Sequence, residues 1–145
     1  MFEVSSTEAG LRESSATMLP SETILMTSRA SVGFFALADQ PVCTNQGFIN
    51  IVPKKPEVRM YLLFNLMSRV EEIRASAKGS TYPEISKGRF RGMPILLPPD
   101  QLLRAFADFA GTILLQVRCL KRQKEKAREA RDRLLPRLLS GEMSV

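Results

Sequence analysis

The strongest nucleophiles in this chain are two isolated cysteines, Cys43 and Cys119, and the sequence offers nothing to activate either of them. None of the 145 positions is a histidine, which removes the commonest general base and the commonest metal ligand. Neither cysteine belongs to a CxxC pair, so both read as buried or free thiols in a reducing cytoplasm. No Asp or Glu is followed two positions on by Lys, the limb of a nuclease metal site. The Asn-Pro-Pro-aromatic tetrapeptide of adenine methyl transfer and the glycine-rich phosphate loops are missing as well. The residues point to a binding module with no catalytic side chain, no metal and no cofactor.

What the chain does carry is positive charge, +6 in all with a pI near 9.7. Up to Pro53 the acids Glu3, Glu8, Glu13, Glu22 and Asp39 outweigh Arg12 and Arg29. From there Lys54, Lys55, Arg59, Arg69, Arg74, Lys78, Lys87, Arg89 and Arg91 face only Glu57, Glu71, Glu72 and Glu84. Such a balance suits a polyanion, nucleic acid before membrane, because no basic amphipathic segment stands alone. Arg29, Lys54, Lys55, Lys78, Lys87, Arg89 and Arg91 are the candidates for phosphate contact, since a charge near a turn or helix end reaches a backbone without a fixed pose. Ordinary solubilising charge is the competing reading. No apolar run approaches the roughly 18 residues of a spanning helix, and the first ten positions lack the pattern of a signal peptide. The expected location is the cytoplasm.

These residues must be positioned by short strands and helices. Met1 to Pro20 is polar and shows no period, which suits a loop or a weak edge. Thr23–Thr27, Gly33–Leu37 and Phe48–Val52 read as strands bounded by turn residues. From Glu57 the spacing of Leu63, Leu66, Val70, Ile73 and Ala77 is helical, with Gly79 as its C-cap. A polar turn from Ser80 to Ser86 follows, and Met93–Leu97 reads as a last strand. The fold class is α+β, a small mixed sheet followed by a long coiled-coil-forming helix, with no internal repeat.

That helix starts at the Leu97-Pro98-Pro99 step and continues to about Leu135, with a kink or restart at Pro136 and a stop at Gly141. At about 1.5 Å per residue it is roughly 50 Å long. Leu103, Phe106, Ala110, Ile113, Val117 and Leu120 recur every three or four positions, and the same register continues through Lys124, Ala127, Arg131, Leu134 and Leu138. An average step near 3.5 is that of a coiled-coil seam. Glu125 with Arg128, Glu129 with Arg133 and Arg128 with Asp132 are spaced for ion pairs on an exposed face.

The ending Arg131-Asp132-Arg133-Leu134-Leu135-Pro136-Arg137-Leu138-Leu139-Ser140-Gly141-Glu142, after a long helix that begins at Leu-Pro-Pro, resembles the specificity subunit of type I restriction-modification systems. Three further stretches stand in the order and spacing of a target recognition domain from that family: Thr27-Ser28-Arg29-Ala30-Ser31-Val32-Gly33, Thr44-Asn45-Gln46-Gly47-Phe48, and Gly79-Ser80-Thr81-Tyr82-Pro83-Glu84-Ile85-Ser86. The resemblance implies a recognition domain over 1–98, its opening strands missing, and a helix over 99–145 for helix pairing and subunit contacts. It implies double-stranded DNA as ligand, and methyltransferase and restriction subunits as partners. A stretch common to readers of different DNA sequences does not encode the base choice, so Asn45, Gln46, Ser80 and Thr81 read first as holders of turns and second as DNA contacts. Tyr82 reads as a packed ring rather than a stacking one.

Subunits of this kind pair two long helices antiparallel, whereas this sequence holds one. A second copy, packed about a two-fold axis through Leu103, Phe106, Ala110, Ile113, Val117, Leu120, Ala127, Leu134 and Leu138, is therefore expected to cover the seam. The rival reading is a structural or regulatory coiled-coil protein without DNA specificity. A free-standing nuclease is disfavoured by the missing carboxylate-lysine spacing.

Overall fold

A computed structural model describes residues 17–142. The expectation of a loop or weak edge before Pro20 lies largely outside those residues, although Leu19 pairs with Val42 through two backbone hydrogen bonds. Three strands, β1 (Ile24–Thr27), β2 (Phe35–Leu37) and β3 (Phe48–Ile51), form a sheet in the order β2-β1-β3. Both pairings are antiparallel, so the sheet is not mixed. Ile24 and Met26, fully buried, point to one face, as the two-residue period of a strand demands.

That face is covered by α1 (Pro56–Ser68) and α2 (Val70–Ala75). Met26, Val32, Ile49, Leu66, Ile73 and Ile85 make the core, with Phe35, Ile51, Phe90, Met93 and Ile95 packed around it. The expected single helix is two. No proline or glycine marks the break at Arg69, whose guanidinium is held by Glu72 Oε2 at 2.7 Å, Glu72 Oε1 at 2.8 Å and the Pro94 carbonyl at 2.8 Å. The second piece ends at Ala75, four residues short of the expected glycine cap. Gly79 sits in the loop beyond with φ +104°, where a Cβ would lie 2.8 Å from the Tyr82 carbonyl; only glycine fits there.

A five-residue helix, α3 (Lys87–Arg91), is capped by Ser86 Oγ, which accepts from the Arg89 amide at 3.2 Å. Met93–Leu97, expected as a strand, pairs with nothing in the sheet. Met93 and Ile95 do point inward, but Pro94 has no N–H to give a ladder. The Pro94 and Leu96 carbonyls are instead taken by Arg69 and by the Tyr61 hydroxyl.

The last helix, α4 (Asp100–Leu139), runs 40 residues, about 60 Å at 1.5 Å per residue. It passes through Pro136 without a restart and stops where Gly141 takes φ +75°. The domain covers α4 only as far as Arg118; from Cys119 to Leu139 every residue is exposed. The seam divides accordingly. Leu103 and Ala110 are buried on the domain side, in line with the half-buried Ala107, Leu114 and Arg118. Leu102, Phe109, Ile113, Val117 and Leu120 stay exposed on an adjoining stripe. Phe106 stands between the two, its ring edge-on to Phe64 of α1 at 5.9 Å.

Candidate nucleic-acid interface

Ser28, immediately after β1, is 3% exposed and joins all three polar stretches of the domain. Its amide donates to the Gly47 carbonyl at 2.8 Å, and its carbonyl accepts from the Ile85 amide at 3.0 Å. Beside it the Ala30 amide donates to the Pro83 carbonyl at 2.9 Å, and Arg29 Nε meets Glu84 Oε1 at 2.8 Å. Thr27 Oγ1 closes the turn that follows β1, donating to the Ser31 carbonyl and accepting from the Phe34 amide. Lys78 and Glu84 exchange two backbone hydrogen bonds of 2.9 and 2.8 Å, which close the loop between them at its base. Stretches far apart in sequence thus form one platform at the Thr27 end of the sheet.

On this platform Asn45 is a turn holder: its Oδ1 accepts from the Gly47 amide at 2.9 Å, the Asx-turn geometry. Gln46, Ser80 and Thr81 are exposed. Arg29 is not a free cation, because its charge is met by Glu84. Lys78, Lys87, Arg89 and Arg91 are exposed around the same loop and short helix. Lys78, Gly79, Tyr82, Glu84, Ser86 and Arg89 line one open depression. Tyr82, expected to be packed, is 76% exposed.

Lys54 and Lys55 lie elsewhere. Thr27 of β1 pairs with Phe48 and Ile24 pairs with Ile51, so the chain leaving β3 emerges at the opposite end of the sheet from Ser28. There Lys55 Nζ meets Asp100 Oδ2 at 3.4 Å, and both lysines line a separate depression with Arg104. The basic run that is continuous in sequence is therefore two patches, with the β1 strand between them.

The Ile24 end is also where α4 is fastened. Glu22 receives Arg59 of α1 at 2.8 Å and Arg118 of α4 at 3.0 Å, and Arg118 also meets Asp39 at 2.6 Å. Burial disfavours the Arg118 charge, but its hydrogen bond to Glu22 and the charges of Asp39 and Glu22 outweigh that, so its pKa is raised. Sequence reading passed over Glu22 and gave Ser28 and Glu84 no role beyond their stretches; only partners distant in sequence give the three their roles. Among the described residues no cluster of three or more His, Cys, Asp or Glu is placed to hold a metal, and no helix is long and apolar enough to cross a membrane.

Residues 3–116 match the family model described as the type I restriction modification DNA specificity domain. The chain is 35% identical over 130 residues to the type I restriction enzyme MjaIX specificity subunit of Methanocaldococcus jannaschii, covering 88% of this chain and 29% of that protein. It is 26% identical over 137 residues to the HindI specificity subunit of Haemophilus influenzae, covering 92% and 30%. The type I restriction-modification S subunit of M. genitalium has the same fold, with a TM-score of 0.71 at 22% identity, over 86% of this chain and 34% of that one. The chain spans only about 30% of the length of these curated relatives. With the family model matching residues 3–116, most of its length, this chain belongs to the type I restriction-modification DNA specificity family.

Proposed function

We propose that this chain is a sequence-specific DNA-recognition module that directs methyltransferase and restriction subunits to a target site in the cytoplasm and performs no chemistry itself. The observation that carries the reading is the family match over residues 3–116, which takes in the whole platform around Ser28. The platform has the build that DNA binding needs, because its turns are fixed by backbone hydrogen bonds while Lys78, Lys87, Arg89 and Arg91 are exposed to meet phosphates. Gln46, Ser80 and Thr81, also exposed, are the polar contacts proposed to accompany those phosphates. The test is a titration of the purified chain with duplex DNA at increasing salt. Affinity should fall steeply as counterions are released; no binding at low salt would refute the reading.

The helix supports a second element of the proposal, a homodimer. The exposed stripe Leu102, Phe109, Ile113, Val117 and Leu120, with Leu134 and Leu138 further on, is too long and apolar for a solvated face. A second copy packed antiparallel covers it and sets one recognition domain at each end, so that the pair reads a two-part palindromic site. Leu103 and Ala110, already covered by their own domain, take no part in that seam. A coiled-coil protein without DNA specificity has no use for the platform at the other end of the sheet.

A further inference from the structure

Tyr82 is the most exposed aromatic ring among the described residues, and it stands on the loop between Lys78 and Glu84. The loop is closed at its base by the two Lys78–Glu84 backbone hydrogen bonds, tied to the Ser28 turn through Ala30 and Pro83, and narrowed at Gly79, where a side chain would strike the Tyr82 carbonyl. Nothing in the core needs this ring. Lys78 and Arg89 line the same open depression, together with Glu84, whose charge is met by Arg29. An aromatic held out in water on a loop closed at its base has part of its ordering cost already met, and in a duplex such a ring reaches a base face by entering a base step and partly unstacking it.

Resting on the DNA-recognition reading, we propose that Tyr82 is the aromatic contact of this module with DNA, its ring inserted at a partly unstacked base step while Lys78 and Arg89 meet the flanking phosphates. Such a contact reads no hydrogen-bond pattern and contributes affinity, leaving the base choice to other side chains. It is separable from the phosphate contacts, since a neutral ring releases no counterions.

The experiment uses the full chain and a mixed-sequence duplex. Tyr82→Ala should weaken binding roughly tenfold for every duplex with the salt slope unchanged, and Tyr82→Phe should bind as the parent does. The chain has two tyrosines and no tryptophan, so its near-ultraviolet emission reports on Tyr61 and Tyr82 alone. DNA should quench the parent's emission, and the Tyr82→Phe chain, emitting from Tyr61 only, should not respond. Equal affinity for the parent and Tyr82→Ala, with unquenched emission, overturns the proposal and leaves DNA recognition standing. A Tyr82→Phe loss as large as that of Tyr82→Ala assigns the effect to the hydroxyl and overturns stacking. A parent chain that binds no duplex at low salt overturns this proposal and the reading beneath it together.

Discussion

Arg118, five turns into α4, reaches Glu22 in the turn before β1 at 3.0 Å, across 96 positions of sequence. Glu22 holds φ +68° there and receives Arg59 of α1 on its other oxygen, so one carboxylate ties the sheet, the covering helix and the long helix together. This tie braces the sheet end of the domain against the long helix. It also marks where the domain's cover ends, since every α4 residue beyond Arg118 is exposed.

Arg118→Ala is therefore expected to lower stability by roughly 1–2 kcal/mol, the range for a hydrogen bond to a charged partner that is partly shielded from water. Glu22→Ala should cost more, because it leaves both Arg59 and Arg118 short of a carboxylate at once. Urea midpoints of the two variants and the parent decide it; a Glu22→Ala chain as stable as Arg118→Ala would count against a shared anchor.

Gly79→Ala forces a side chain into a left-handed backbone and against the Tyr82 carbonyl. A loss of roughly 1–3 kcal/mol is expected, the range for a residue held in a sparsely populated conformation. The same variant should bind duplex DNA more weakly at a temperature where it is still folded. A melting temperature equal to the parent's would show that the loop yields at no cost.

Acid should loosen the break between α1 and α2. Hydrogen bonding to Arg69 lowers the pKa of Glu72, against the opposing effect of burial. The unfolded chain then takes up its proton at higher pH than the folded one. The contribution is complete above the ordinary carboxylate range and lost as pH falls through the lowered folded value. Glu72→Gln should flatten this part of the acid limb in a pH series of unfolding midpoints, and a limb of unchanged slope would assign acid sensitivity to other groups.

The division of the basic run into two patches predicts unequal effects on DNA binding. Arg89→Ala with Arg91→Ala should weaken binding to all sequences alike and reduce the salt slope, as phosphate contacts do. Lys54→Ala with Lys55→Ala, at the far end of the sheet, should leave affinity close to the parent's. Loss confined to one DNA sequence in the arginine pair would instead make those residues base readers.

Sedimentation of the purified chain at micromolar concentration tests the helix pairing. A dimer is expected, and Ile113→Asp with Val117→Asp should convert it to monomer without unfolding the domain, since both side chains are exposed in the single chain. A clean, soluble, helical monomer of the parent would show that another chain supplies the partner helix.

The kind of elements and the family were legible from residue order alone. Alternation at Ile24 and Met26 and the three-and-four steps at Leu63, Leu66 and Ile73 are local periodicities, and burial follows them directly. The absence of histidine and the stretches around Ser28, Gly47 and Gly79 were equally legible, because they are matters of residue type and order. How these parts share space was settled by the folded chain. Met93–Leu97 has the inward alternation of a strand, but a strand needs a neighbour, and its carbonyls went to Arg69 and Tyr61. The long helix carries one apolar pattern in sequence, yet its domain could occupy only one side, which took Leu103 and Ala110 and left Phe109, Ile113 and Leu120 outside. Lys54 and Arg89 belong to one basic run along the chain, and the antiparallel register of β1 and β3 sent them to opposite ends of the sheet. Charge and periodicity are properties of neighbours in sequence; which face or end they serve depends on contacts between residues far apart, and no local pattern encodes those.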